Sequence, residues 1–376
     1  MTSKDHRKHA FLKKPSGGKF HRNELAFLGA PCGYIKGLVS DVEQELRGHY
    51  RLGYADADHG KGESQPDFYV TYTDKITHHE VGFSDPDIEY SWPGYFHQVD
   101  AMLVNGNHFT AENQVVLIHP GKKESLERKL DRLTNVRMII LTEEVDEPWD
   151  FLKSALGDQL KNIPVIQRND LSLIAKIIRE WIVENRPVVK GLVLAGGKSV
   201  RMGTDKGQID YHGKPQREYA AELLGHVCDE VLISSRPGME IETDYEVLYD
   251  SFTDLGPYGA ILSAFRHDPD AAWLCIACDI PLLDKAALER LVRERDHSKV
   301  ATCYHNPETE FPEPLITIWE PRAYPRLLHF LSRGYSCPRK VLINSDVFEL
   351  DVDRTEILTN VNTPEEMEQL KRKYHA

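Results

Sequence analysis

The stretch that most constrains this chain is a short apolar segment that ends at a pair of glycines. Residues 188–194 are mostly aliphatic and β-branched, which is typical of a strand buried on both faces of a parallel sheet. Gly196 and Gly197 follow closely. Because glycine has no Cβ, it adopts positive φ readily and lets the backbone approach a ligand. The segment therefore predicts a turn whose N–H groups point at phosphate oxygens.

Two cations lie downstream of the glycines. Arg201 can hold a phosphate through its planar guanidinium, and Lys206 supplies a compact point charge. The turn thus offers backbone amides and two positive groups to a triphosphate. A glycine pair after a strand is common in purely structural turns, but here residue types and spacing agree together.

Residues 194–206 read Leu-Ala-Gly-Gly-Lys-Ser-Val-Arg-Met-Gly-Thr-Asp-Lys. This string resembles the signature of the MobA-like molybdenum cofactor nucleotidyltransferases, a branch of the nucleoside triphosphate transferase superfamily. The resemblance covers about residues 190–376 and implies a Rossmann-like (GT-A type) nucleotidyltransferase domain with a mostly parallel sheet. It implies catalytic roles for Arg201 and Lys206. The residues of this stretch that it assigns to nucleotide binding are Leu194, Ala195, Gly196, Gly197 and Lys206.

A second motif follows another apolar run, residues 272–277. This run predicts a strand that brings Asp279 to the carboxyl edge of the sheet, and Pro281 ends it. The motif resembles the Cys-Asp-x-Pro magnesium motif of the same family, in which the carboxylate holds a hard divalent ion on the triphosphate. Asp279 is therefore implied to be catalytic, to bind the nucleotide and to ligate Mg²⁺. Asn360 opens an Asn-Val-Asn-Thr-Pro segment that resembles the family's second metal-binding motif.

Further residues are expected to position the two substrates. Ser234 and Asp250 each follow a predicted strand, at the edge where open α/β sheets bind ligands. We expect Asp250 to position the nucleoside and the Ser234 hydroxyl to contact the base or ribose. Arg339 and Lys340 lie where the family shapes its acceptor site, and the resemblance implies contact with an anionic pterin phosphate. Solvated cations beside a helix start are the alternative interpretation.

The first half of the chain begins with the layout of a P-loop. A predicted strand near residue 25 leads through a Gly/Pro turn into a helix with apolar residues at helical spacing. A P-loop requires G-x-x-x-x-G-K-[ST]. Counted from Gly29, the required glycine, lysine and hydroxyl positions hold Tyr34, Ile35 and Lys36. The phosphate-binding chemistry of the motif is therefore missing.

Several later strands in this half end in polar residues and loosely resemble the P-loop GTPase-like MobB domain. Where that family has Glu-Gly after a strand, this chain has Asn105 and Gly106. The sequence predicts a degenerate domain that either binds a nucleotide through its turn amides or serves for docking only. For a residual metal site in this half, the best candidates are Asp56, Asp58 and His59, although no histidine pair has a recognised ligand spacing.

Length and composition set the domain organisation and exclude some functions. At 376 residues the chain is long enough for two domains. We predict a flexible tail over 1–20, a degenerate MobB-like P-loop α/β domain over 21–186 and the MobA-like domain over 187–376. The net charge of −13 argues against a nucleic-acid partner. No apolar run is long enough to span a membrane, and the scattered cysteines indicate the reducing cytoplasm.

The resemblance implies one reaction. The chain is expected to transfer GMP from GTP to the terminal phosphate of molybdenum-molybdopterin, with Mg²⁺ as cofactor and pyrophosphate as product. GTP, molybdopterin and molybdoenzymes or cofactor-assembly proteins are the implied partners. Two alternatives stay open. The chain could be a cytidylyl or sugar-phosphate nucleotidyltransferase, because those enzymes share the loop motif. It could also be a non-catalytic scaffold for cofactor assembly, because the first domain has lost its P-loop motif.

Overall fold

The computed structural model describes residues 19–57, 69–84, 92–196 and 206–361, together with 363, 365, 366 and 368. The chain divides into two compact units, residues 1–185 and 186–376. Each unit is an α/β structure built on its own sheet. The predicted fold class is confirmed for both halves of the chain.

The first unit is a parallel sheet with helices between its strands. Its elements are β1 (Glu24–Leu28), α1 (Cys32–Leu46), β2 (Leu52–Ala55), β3 (Val70–Asp74), β4 (His79–Phe83), α2 (Trp92–Phe96), β5 (Ala101–Asn105), β6 (Asn113–Ile118), α3 (Lys123–Glu127), β7 (Val136–Leu141), α4 (Asp150–Leu156), β8 (Val165–Gln167) and α5 (Leu171–Glu184). The sheet order is β2-β5-β1-β6-β7-β8, with parallel neighbours throughout. The strands β3 and β4 form a separate antiparallel hairpin.

The core of this unit forms because its central strands are apolar on both faces. Every residue of β1 and β5 is buried, as expected for inner strands covered by helices on each side. Phe20 corrects the predicted tail boundary, since its ring is buried and packs edge-to-face on Phe109 at 5.1 Å. The folded part of this unit therefore includes Phe20, which the prediction places in the tail. That the unit is MobB-like stays a prediction.

The second unit contains a mostly parallel sheet, as predicted. Its elements are β9 (Val189–Leu194), α6 (Gln216–Gly225), β10 (Glu230–Ser235), β11 (Glu246–Tyr249), α7 (Pro257–His267), β12 (Ala272–Ala277), α8 (Lys285–Arg293), β13 (Ala301–Asn306), β14 (Phe311–Trp319), α9 (Ala323–Ser332), α10 (Pro338–Ile343) and β15 (Val347–Leu350). The order is β11-β10-β9-β12-β14-β13-β15. Only β14 runs antiparallel to its neighbours among the strands of this sheet that the structure describes.

The position of β9 creates a crevice at one edge of this sheet. It pairs in parallel with β10 on one side and β12 on the other, so the chain leaves β9 in one direction and later returns on its opposite side. Ligands bind open α/β sheets at the carboxyl ends of strands beside such a reversal. Residues of β9 alternate between two buried apolar clusters, one on each face. The strand β9 is therefore packed against apolar side chains on both faces up to its carboxyl end.

No helix in the described part of the chain has the length and hydrophobicity needed to cross a membrane.

Candidate active site

A cleft of about 1010 Å³ opens at the carboxyl ends of β9, β10 and β12. It has the size of a ligand-binding site. Its lining residues are Leu194, Ala195, Gly196, Lys206, Ser234, Arg236, Pro237, Gly238, Met239, Asp250, Thr253, Asp254, Gly256, Pro257, Ala260, Ala277, Cys278, Asp279 and Leu315. Most of the residues predicted to bind the nucleotide therefore share one cavity.

Lys206 and Asp279 meet in this cleft although 73 residues separate them in sequence. Lys206 begins a short 3₁₀ turn, and Asp279 lies just past the end of β12. The Lys206 Nζ donates to Asp279 Oδ2 at 3.2 Å. Their side chains are 20% and 18% exposed, so the pair is sheltered but open to a ligand.

The second carboxylate oxygen of Asp279 is a candidate ligand for a cation. Asp279 Oδ1 is buried and accepts no hydrogen bond from any described residue. A buried, negatively charged acceptor without a donor is costly, and a divalent ion with oxygen preference satisfies it. Val361 donates its N–H to the Asp279 carbonyl oxygen at 2.8 Å, which holds the exposed neighbour Asn360 beside this turn.

Asp250 is a second carboxylate of the cleft, and Ser234 contacts it. The Ser234 hydroxyl donates to Asp250 Oδ1 at 2.8 Å, and both residues are buried. Burial raises the pKa of Asp250 to about 6, an effect that the Ser234 hydrogen bond partly offsets. The Ser234 hydroxyl therefore orients the Asp250 carboxylate, and its contact with the base or ribose stays a prediction.

The end of β9 forms the floor of the cleft. Leu194 and Ala195 are buried there, and the Leu194 carbonyl accepts from the Cys278 thiol at 3.4 Å. Gly196 does not adopt the positive φ that glycine permits. A Cβ at Gly196 would stand 3.5 Å from Asp250 Oδ2, an ordinary contact distance, so glycine there leaves space beside the carboxylate. The predicted site residues Gly197 and Arg201 lie outside the described residues.

The two predicted acceptor residues lie on α10, and neither is among the residues that line the cleft. The Arg339 guanidinium is 3.6 Å from Glu313 Oε2, and its Nε has no hydrogen-bond partner within the described ranges. The exposed Lys340 lies over the Tyr335 ring at 5.2 Å. Arg339 thus forms an ion pair with the buried carboxylate of Glu313 in β14, whereas Lys340 is exposed to solvent.

Two charged residues of this region, Arg236 and Glu313, have no role predicted from the sequence. Arg236 lines the cleft directly after β10, and its Nε lacks a hydrogen-bond partner in the described structure. Glu313 is buried in β14 and its pKa is raised, chiefly by burial and also by nearby Asp279. The sequence does contain a signal for each residue. Arg236 is a cation directly after a strand that ends in two serines, and Glu313 is a carboxylate within a largely apolar strand.

The chain is similar in sequence to known proteins. Residues 191–347 match the family of the MobA-like NTP transferase domain. The chain is 37% identical over 183 residues to the molybdenum cofactor biosynthesis bifunctional protein of Synechocystis, covering 48% of this chain and 53% of that protein. It is 32% identical over 190 residues to the molybdenum cofactor guanylyltransferase of Xanthomonas euvesicatoria, covering 48% of this chain and 93% of the relative.

Among solved structures, the molybdopterin-guanine dinucleotide biosynthesis protein A of Archaeoglobus fulgidus is similar, with 23% identity and a TM-score of 0.43. That match covers 49% of this chain and 97% of the archaeal chain. Against the Synechocystis protein, the chain spans only about half the relative's length. The Xanthomonas relative, by contrast, is covered almost completely at 32% identity. The chain therefore belongs to the MobA-like NTP transferase family, with its nucleotidyltransferase domain in the second unit.

Proposed function

We propose that this chain transfers GMP from GTP to the terminal phosphate of molybdenum-loaded molybdopterin, releasing pyrophosphate, in molybdenum cofactor biosynthesis. The relatives named as molybdenum cofactor guanylyltransferases support this reaction. The observation that carries it is the approach of Lys206 to Asp279 within a nucleotide-sized cleft. A cation and a carboxylate side by side are the groups that transfer between two phosphates requires.

The reaction replaces one phosphoanhydride bond with another. An oxygen of the acceptor phosphate attacks the α-phosphorus of GTP, a new P–O–P bond forms, and the bond to the β-phosphate breaks. The acceptor is already anionic near neutral pH, so no general base is required. Catalysis then reduces to alignment and neutralisation of charge. Lys206 neutralises the charge that develops on the leaving pyrophosphate, with Arg201 as the second predicted cation.

Asp279 and Asn360 are the residues that would hold Mg²⁺. The unpartnered Asp279 Oδ1 fits a hard divalent cation, and Asn360 is held next to the same turn through Val361. When bound, Mg²⁺ withdraws charge from the triphosphate oxygens. Lys206 contributes to the same neutralisation from the opposite oxygen of Asp279.

The nucleoside and the acceptor occupy different parts of this arrangement. Asp250, oriented by Ser234, accepts hydrogen bonds from the nucleoside. Arg236 adds a guanidinium beside it, which suits an anionic ligand in a chain of net charge −13. Arg339 and Lys340 bind the pterin phosphate, and Glu313 orients Arg339. Molybdoenzymes or cofactor-assembly proteins in the cytoplasm would receive the product.

The test is magnesium-dependent pyrophosphate release with GTP, CTP, ATP or UTP, with and without molybdenum-loaded molybdopterin. Release that requires both GTP and the pterin supports the proposal. Release with CTP, or with a sugar phosphate in place of the pterin, would assign the chain to a sister activity. Nucleotide binding without release under every condition would instead indicate a non-catalytic scaffold.

A further inference from the structure

Three metal-ligating side chains meet at the carboxyl edge of the first unit's sheet. Cys32 begins α1 after β1, Asp56 follows β2, and His108 comes shortly after β5. Because β2, β5 and β1 are neighbours, the loops that carry these residues are adjacent. The Cys32 thiol, a His108 ring nitrogen and an Asp56 carboxylate oxygen all lie within 4.8 Å of one another.

The three side chains converge on one point. Cys32 Sγ is 3.3 Å from His108 Nε2, and Asp56 Oδ1 is 3.8 Å from that same nitrogen. In a nucleophile–histidine–carboxylate relay the two partners contact different ring nitrogens, so this arrangement does not relay a proton. Convergence of sulfur, nitrogen and oxygen donors is instead the arrangement of a metal ligand set.

Neighbouring side chains hold the ligands in place, as in established metal sites. Asp56 Oδ2 accepts from the Tyr54 hydroxyl at 2.8 Å, and Oδ1 accepts from Asn105 Nδ2 at 2.8 Å. Asn107 donates to the carbonyl oxygen of Ala30 at 2.9 Å and lies 3.8 Å from Cys32 Sγ. The carboxylate and the loop before the thiol are therefore fixed by the fold.

We infer that Cys32, Asp56 and His108 form a binding site for a zinc-type divalent cation. A thiolate and an imidazole select Zn²⁺ over Mg²⁺ or Ca²⁺, which prefer oxygen ligands only. Three protein ligands leave a fourth tetrahedral position for water or an exogenous donor. The side chains of His108 and Asp56 are 17% and 26% exposed, so an ion reaches the site from solvent.

This site accounts for the altered P-loop turn. The turn lacks the lysine and hydroxyl that bind a triphosphate with magnesium, and it presents a thiol at the start of α1 instead. The sequence pattern indicates Asp56 as a metal ligand together with Asp58 and His59, which lie outside the described residues. Cys32 and His108 carry no such signal, because 76 residues separate them and only the strand order brings their loops together.

The test is metal titration of the full chain, kept reduced with a phosphine and freed of metal by a chelator. We expect one equivalent of the bound Co²⁺ to give a thiolate-to-cobalt charge-transfer band. Cys32→Ser should abolish this band, and Asp56→Asn and His108→Ala should each weaken Zn²⁺ binding by at least about tenfold. The matched controls Cys337→Ser and His49→Ala, both at exposed positions, should bind as the unmodified chain does.

A second measurement needs no variant and so does not depend on folding of the mutants. Saturating Zn²⁺ should slow alkylation of Cys32 by iodoacetamide at least tenfold while alkylation of Cys337 is unchanged, as read by peptide mass spectrometry. Unchanged alkylation of Cys32 would overturn the inference and identify a solvent-reactive thiol. Equal Zn²⁺ affinity in folded Cys32→Ser and in the unmodified chain would overturn it as well.

Discussion

The Lys206 ammonium lies 3.2 Å from Asp279 Oδ2, where the ends of β9 and β12 adjoin. Two groups of opposite charge that are distant in sequence thus share one sheltered position in the second unit. Since each partly neutralises the other, removing either one changes the charge that a triphosphate meets. The pair is therefore the most direct target for mutagenesis.

Replacing either member of this pair should reduce transfer severely. We expect Lys206→Ala or Asp279→Ala to lower kcat for pyrophosphate release by about 10²–10³, the loss typical of a group that stabilises transition-state charge. The matched control is Lys214→Ala, because Lys214 is exposed and pairs with Glu222. Near-normal turnover of either active-site variant would refute the catalytic assignment.

The raised pKa of Asp250 predicts how stability depends on pH. Because its pKa is about 6 instead of the ordinary 3.8, the folded chain holds this proton more tightly than the unfolded chain. The resulting stabilisation is complete below about pH 4 and is lost as pH rises through 6. The Asp250→Asn variant lacks this term. The unfolding free energy of this variant minus that of the unmodified chain should therefore rise by up to about 3 kcal/mol from pH 4 to pH 7, as measured by urea unfolding. A difference that stays constant over this pH range would contradict the raised pKa of Asp250.

The same carboxylate predicts a pH effect on nucleotide binding. When Asp250 is protonated it loses acceptor capacity toward the nucleoside, so KM for the nucleotide should rise as pH falls below about 6. Initial rates across pH 5 to 8 measure this change. In the Asp250→Asn variant, KM should be higher and independent of pH over this range. A pH-dependent KM that persists in the variant would assign the titration to another group.

Gly259 should be irreplaceable for a steric reason. A Cβ at this position of α7 would stand 2.1 Å from the carbonyl oxygen of Phe252, so Gly259→Ala must displace backbone. We expect a loss of about 1–3 kcal/mol in unfolding free energy, measured by thermal and denaturant unfolding. Gly225→Ala is the control, because a Cβ there meets no atom within 4 Å. Equal stability of the two variants would contradict the close approach.

Arg339 should affect the acceptor and not the nucleotide. We expect Arg339→Ala to raise KM for the pterin phosphate about tenfold, the effect of losing one charge-assisted contact. KM for GTP should stay unchanged, because Arg339 does not line the nucleotide cleft. The control Arg333→Ala removes a nearby exposed cation. Equal increases in both KM values would place Arg339 outside the acceptor site.

Local sequence determined the inner strands of the second unit's sheet. The apolar run 188–194 predicted β9, and the run before Asp279 predicted β12. Side chains buried on both faces require aliphatic residues in succession, which is a signal confined to a few neighbouring positions. Such signals are readable without any knowledge of the rest of the chain.

Tertiary structure decided which side chains meet and what each one does. The hydrogen bond of Ser234 to Asp250, the link from Glu313 to Arg339 and the convergence of Cys32 with His108 all join segments remote in sequence. Strand order and burial set these contacts, and neither leaves a periodic pattern in the sequence. The residue types were visible from the beginning, but their distances, their burial and the raised pKa of Asp250 exist only in the fold.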